Sequence, residues 1–94
     1  MKSLKEKFNT FDANNPHVWD LFVQYTMQAI NSGVKKFGAQ AVIERIRWHH
    51  NIDTVSEDQF KISNDHAAFY ARKFMQEYPQ HDGIFRIKAS KHTV

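Results

Sequence analysis

Hydrophobic positions recur at helical spacing in three stretches of the chain. The first stretch begins at Asn15-Pro16 and ends near Gly33, because asparagine caps a first turn, proline fits the first helical position and glycine ends a helix. Apolar residues cover well over half of its circumference, which indicates a central helix covered on several sides. We predict this helix over about residues 16–32.

The second and third stretches predict two further helices, over about residues 39–50 and 65–78. The second places four apolar residues on one face, and Trp48 points almost opposite to them. We interpret Trp48 as half-buried against neighbouring strands, because tryptophan in a small domain is usually well covered. Asn64 is the predicted cap of the third helix, and Pro79 ends it.

Two short segments, "FKI" at 60–62 and "FRI" at 85–87, alternate apolar, basic and apolar residues. Such alternation is typical of a strand with one buried face. Since a lone short strand is unstable, the two are predicted to pair antiparallel, with Lys61 and Arg86 on the open face. The predicted order is α-α-β-α-β, an α+β and mostly helical fold with three helices and a short two-stranded antiparallel sheet.

The remaining segments divide the chain into three parts. Residues 1–14 are predicted to form a polar, basic arm with two aromatic anchors, Phe8 and Phe11. Residues 15–88 form a single helical domain, and residues 89–94 a basic tail. The total of 94 residues suits one domain.

Composition and charge indicate the cellular compartment of the protein and the kinds of partner it could bind. The chain has no cysteine, which excludes disulfides and thiolate metal sites and suits a reducing cytosol. Neither a signal peptide nor an apolar run of membrane-spanning length is recognisable, so we expect a cytoplasmic protein without membrane association. The formal net charge of +3 permits a polyanionic partner without requiring one.

Phe69 lies on the charged face of the third predicted helix, near His66, Arg72, Lys73 and Gln76. If this face bound DNA, the two cations would contact phosphates, His66 or Gln76 base edges, and Phe69 an apolar base surface. The same face would also suit a protein partner, with Phe69 as anchor. The alternative is that the N-terminal arm folds back over Phe69 with one of its two phenylalanines.

The segment "ERIRWHHN" offers a secondary surface in which Arg45, Arg47 and Trp48 mix cations with a ring, as nucleic-acid surfaces do. His49 and Asp53 are spaced as an i,i+4 pair, but two ligands do not make a closed zinc site. Neither a nucleophile motif nor a glycine-rich phosphate loop is present. We therefore predict no catalytic residue, no metal and no cofactor, and a protein that is not an enzyme.

Four segments carry a resemblance to known proteins: "NPHVWDLF", "FGAQAVIERIRW", "FKISNDHAAFYARKFM" and "YPQHDGIFRIK". In these segments the chain resembles a family of short proteins of uncharacterised activity encoded by bacteriophages and bacterial mobile elements. The resemblance implies a winged-helix-like fold and a bacterial or phage-infected cytoplasm. It implies no mechanism.

Two functional hypotheses follow. The first is a small regulatory protein that binds duplex DNA through the third helix and basic strand and tail residues. The second is a phage-type interaction module that docks on a bacterial host protein through an exposed aromatic and basic surface. Neither predicts an oligomeric state. The residues assigned to DNA or partner binding are Lys61, His66, Phe69, Arg72, Lys73, Gln76 and Arg86, with Arg45, Arg47 and Trp48 as a secondary set.

Overall fold

The computed structural model describes residues 3–53 and 62–85, which four α-helices organise. A five-residue π-helix continues the third helix, and a short 3-10 turn follows the fourth. The elements are α1 (Leu4–Asn14), α2 (Pro16–Asn31), α3 (Ala39–Trp48), the π-helix (His49–Asp53), α4 (His66–Glu77) and the 3-10 turn (Pro79–His81).

Helix α1 was not predicted, and the expected total of three helices is therefore wrong. The Ser3 hydroxyl caps α1 by accepting from the Glu6 backbone N–H at 3.1 Å, and Glu6 places a negative charge in the first turn, where the helix dipole favours it. At the other end, the Asn15 side-chain amide donates to the Phe11 carbonyl at 2.9 Å. Most of the segment predicted as an arm is thus a capped helix.

The other three helices form where their periodicity predicts them, with ends that differ by one or two residues. Pro16 occupies the first turn of α2, and Gly33 follows that helix with a φ of +98°, a conformation that glycine adopts without strain. Asn64 does not cap α4. Its side-chain oxygen instead accepts from Arg47 at 2.6 Å and from Gln40 at 3.0 Å.

Helices α2, α3 and α4 share one hydrophobic core, and aromatic rings fill its centre. The Phe22 ring lies 5.3 Å from the Tyr70 ring and 5.4 Å from the Phe85 ring, measured between centroids. Large rings let a short chain bury much apolar area, and such offset pairs stabilise it further. The largest fully buried side chains are those of Val18, Phe22, Thr26, Val42, Ile43, Ile46, Tyr70 and Phe74.

The predicted α+β fold with an antiparallel strand pair is wrong, because residues 3–53 and 62–85 contain no strand and no sheet. Ile62 and Phe85 are both buried. Phe85, however, forms an isolated parallel bridge with Phe37, whose N–H donates to the Ile84 carbonyl at 2.7 Å. One apolar residue of each triplet is thus buried within the described residues without belonging to a strand, so three residues of alternation did not specify a sheet.

Residues 60, 61 and 86–94, which hold the rest of both triplets and the predicted basic tail, lie outside the described residues. The wing of a winged helix has no counterpart in the described part of the chain. None of the described helices combines the length and apolar composition needed to cross a bilayer.

Candidate functional site

Helix α1 covers the face of α4 on which Phe69 lies. The Phe8 ring stacks on the Phe69 ring, with centroids 5.2 Å apart and planes 17° apart, and meets the Tyr70 ring edge-on at 4.7 Å. The Lys73 ammonium forms an ion pair with the Asp12 carboxylate at 2.6 Å. The fold-back of the N-terminal segment is therefore the arrangement found, although as a helix rather than an arm.

His66 lies beneath α1 and is only 8% exposed. Its ring centroid is 4.9 Å from that of Phe11 and 5.7 Å from that of Phe8. Burial lowers the pKa of His66, and the nearby charge of Asp65 opposes part of that effect. Contact with a DNA base edge would require α1 to move away first.

A groove of about 420 Å³ remains between α1 and α4. We refer to it as the α1–α4 groove. Four of the predicted binding residues, all on α4, line it together with four residues of α1 that were not predicted to belong to a binding site. The lining residues are Lys5, Phe8, Asn9, Asp12, Phe69, Arg72, Lys73 and Gln76.

Positive charge prevails in the α1–α4 groove, which is lined by three cationic side chains and one carboxylate. The Arg72 guanidinium lies 5.7 Å from the Phe69 ring centroid, within cation–π range. Lys73 lies between its carboxylate partner Asp12 and the Trp19 ring, whose centroid is 4.4 Å from the ammonium. Arg72 and Lys5 are exposed, whereas Lys73 is partly buried.

A second candidate surface lies at the end of α3. Trp48 is 56% exposed, so its interpretation as a half-buried residue is wrong. The core contacts of α3 are made by the opposite face, and the strand pair expected to cover Trp48 is not among the described residues. Ile52, in the π-helix, is 61% exposed.

Ala41, Arg45, Trp48 and Ile52 are spaced four, three and four residues apart, which puts them on one side of a helix. All four side chains are exposed, and we call them the Trp48 surface. The π-helix follows α3 without a break and thus extends this side by one turn.

The Trp48 surface borders a groove of about 480 Å³ between α2 and α3, to which Ala41 and Arg45 also contribute. The Arg45 guanidinium lies 4.7 Å from the centroid of the Tyr25 ring on α2. Arg45 therefore holds its charge at the junction of the two helices.

Arg47, the third member of the predicted secondary set, has a structural position instead. Its guanidinium donates to Glu44 in the same helix and to the Ile62 carbonyl at 2.6 Å. Together with the bond to Asn64, these contacts fasten α3 to the segment that leads into α4. Two other predicted residues, Lys61 and Arg86, lie outside the described residues.

Three histidines cluster where α2 meets the π-helix. The His50 ring lies 5.2 Å from the His17 ring and 5.6 Å from the His49 ring. Burial lowers the pKa of His50, and the charges of His17 and His49 add to that effect. Within the described residues, no group of three or more potential ligands is arranged to hold a metal ion.

No protein-family model, curated protein or solved structure matches this chain. The described residues therefore define the protein only as a small helical domain with two candidate recognition surfaces. The resemblance to phage-encoded proteins stays a prediction.

Proposed function

We propose that this protein is an interaction module that binds a helix of a partner protein along the Trp48 surface. The observation that carries the proposal is the exposure of Trp48 and Ile52, two large apolar side chains one helical turn apart. Contiguous apolar side chains on a surface are characteristic of interaction sites. Tryptophan is also enriched among the residues that contribute most to binding free energy.

The shape and charge of the Trp48 surface suit a helical partner segment. The rise from Ala41 to Ile52 is about 16 Å, or three turns of helix. A partner helix of similar length would contact this side through apolar residues at i, i+3, i+4 and i+7. An acidic residue on that helix would face Arg45. In the setting that the resemblance implies, the partner is a bacterial host protein.

Duplex DNA is the competing candidate. The surroundings of α4 support DNA binding less well than its amino-acid pattern alone did. Helix α1 covers part of the Phe69 ring, Lys73 is paired with Asp12, and His66 is buried. The exposed cations near this side, including Lys5, would still attract phosphates. We therefore keep DNA binding as an outcome that the experiment must be able to report.

The test compares Trp48→Ser with Leu4→Ser, which removes an apolar side chain of similar exposure from α1 (51%). Both variants and the wild type are used to capture proteins from bacterial lysate, and any protein retained is purified and titrated calorimetrically. We expect Trp48→Ser to weaken binding at least about thirtyfold, the effect of losing a 2 kcal/mol hot spot. Leu4→Ser should bind as the wild type does.

A spectroscopic readout accompanies the titration. In a Trp19→Phe background, Trp48 is the remaining tryptophan, so its emission should shift to shorter wavelength when the partner covers it. Equal binding by Trp48→Ser and wild type would overturn the proposal. Salt-dependent binding of random duplex that is lost when Lys5 and Arg72 are neutralised would favour DNA instead.

A further inference from the structure

The lining of the α1–α4 groove carries net positive charge, and it shares no residue with the Trp48 surface. Lys5 projects from α1 and Arg72 from α4, and both side chains are exposed. Lys73 and Asp12 lie in the same lining and neutralise each other in part. The net positive charge of the lining favours an anionic group.

The same lining contains an aromatic surface next to the cations. Phe8 is buried, whereas Phe69 is only partly buried and presents part of its ring to the groove. Arg72 lies over that ring. An arginine held beside an aromatic face can bind a carboxylate through two parallel N–H bonds while its partner's apolar part packs on the ring.

Asp12 shows how a carboxylate is held in this groove. Its Oδ2 atom accepts from the Lys73 ammonium at 2.6 Å. A second carboxylate that entered the groove would meet Lys5 and Arg72 and would compete with Asp12 for Lys73. The amide side chains of Asn9 and Gln76, one from each helix, supply donors and acceptors for a peptide backbone.

From this combination we propose that the α1–α4 groove is a second binding site, for an acidic peptide segment in which a carboxylate side chain neighbours an aromatic one. The segment uses both the cations and the Phe69 ring. A DNA backbone would use only the cations, and the two exposed ones would give a salt-dependence slope of only about −1.8. This site does not depend on the Trp48 surface.

The test is a titration of ¹⁵N-labelled protein with a short capped peptide in which glutamate and phenylalanine alternate. Two control peptides replace glutamate by glutamine or phenylalanine by alanine. We expect saturable shifts of backbone amides in both groove-lining helices, and binding at least about fivefold weaker for each control. Trp48→Ser should bind the peptide as the wild type does.

Three charge variants test the contribution of the groove's own charges. Arg72→Gln should weaken binding about fivefold, the upper range for an exposed ion pair. Lys36→Gln removes the same charge from the α2–α3 loop, outside the groove, and should change the affinity less than about twofold. Asp12→Asn should strengthen binding, because it frees Lys73 from its resident carboxylate, while it lowers the stability of the fold.

A higher affinity of Asp12→Asn for the peptide would show that Lys73 can bind the peptide carboxylate. If the Lys73–Asp12 ion pair only stabilised the fold, its loss would not raise the affinity. If circular dichroism shows that α1 detaches in this variant, Arg72→Gln and Lys5→Gln decide the question. The proposal is overturned if the peptide shows no saturable binding, if the glutamine peptide binds equally well, or if Arg72→Gln behaves as Lys36→Gln does. Displacement of the peptide by short duplex DNA, with the same dependence on Arg72, would overturn it in favour of nucleic acid.

Discussion

Replacing Phe8 by alanine should separate α1 from α4 more directly than any other single change. The Phe8 side chain is 6% exposed and contacts the rings of Phe69, Tyr70 and His66. Burial of a phenylalanine stabilises a fold by about 1.5–3 kcal/mol, and favourable ring pairs add about 0.5–1.5 kcal/mol. Since α1 lies at the edge of the domain and the site can partly close, we expect a loss of about 3 kcal/mol, the lower end for such truncations.

The assay is urea denaturation followed by far-ultraviolet circular dichroism. Phe8→Leu, which keeps most of the apolar volume, should cost about 1 kcal/mol. Leu4→Ala changes a mostly exposed residue of the same helix and should stay within about 0.5 kcal/mol. If Phe8→Ala were no more destabilising than Leu4→Ala, the docking of α1 through Phe8 would be refuted.

Three further outcomes are expected. Trp48→Ala should change the free energy of unfolding by less than about 0.5 kcal/mol, because its ring is mostly exposed; a loss near 3 kcal/mol in urea denaturation would show that the ring is covered. Tyr70→Phe should stabilise the protein by about 1 kcal/mol in the same assay, because the buried Tyr70 hydroxyl has no hydrogen-bond partner within the described residues; a loss of stability would reveal a partner. Stability should fall as the pH drops below about 6.5, because burial lowers the pKa of His66 in the folded state and the unfolded chain then binds more protons. His66→Asn should flatten that pH dependence, and a His66 pKa above 6.5 by NMR would contradict its cause.

The long amphipathic helices could be predicted from sequence, whereas α1 was missed. In α2, α3 and α4, apolar residues repeat at helical spacing and bury one side. Helix α1 has few apolar residues, and only Phe8 among them is buried, so its pattern resembled a polar arm. The serine and glutamate three residues apart at its start, Ser3 and Glu6, were the available signal.

The candidate sites were predictable only in part. Helical spacing placed Phe69, Arg72, Lys73 and Gln76 on one face of a helix, and all four line the α1–α4 groove. The opposite wall depends on how α1 docks, which is a tertiary contact that local spacing does not encode. The exposure of Trp48 was likewise missed, because its cover was assigned to a strand pair suggested by two triplets.

The bond between the Phe37 N–H and the Ile84 carbonyl joins two segments that are far apart in the chain. Helices α3 and α4 both lie between its ends, so it closes a loop around them. Closing such a loop costs chain entropy that only the packed core can offset. The Phe37 amide should thus exchange with solvent hydrogen only when that core opens cooperatively, which makes one backbone proton a reporter of global unfolding, while amides of the peripheral α1 report local opening.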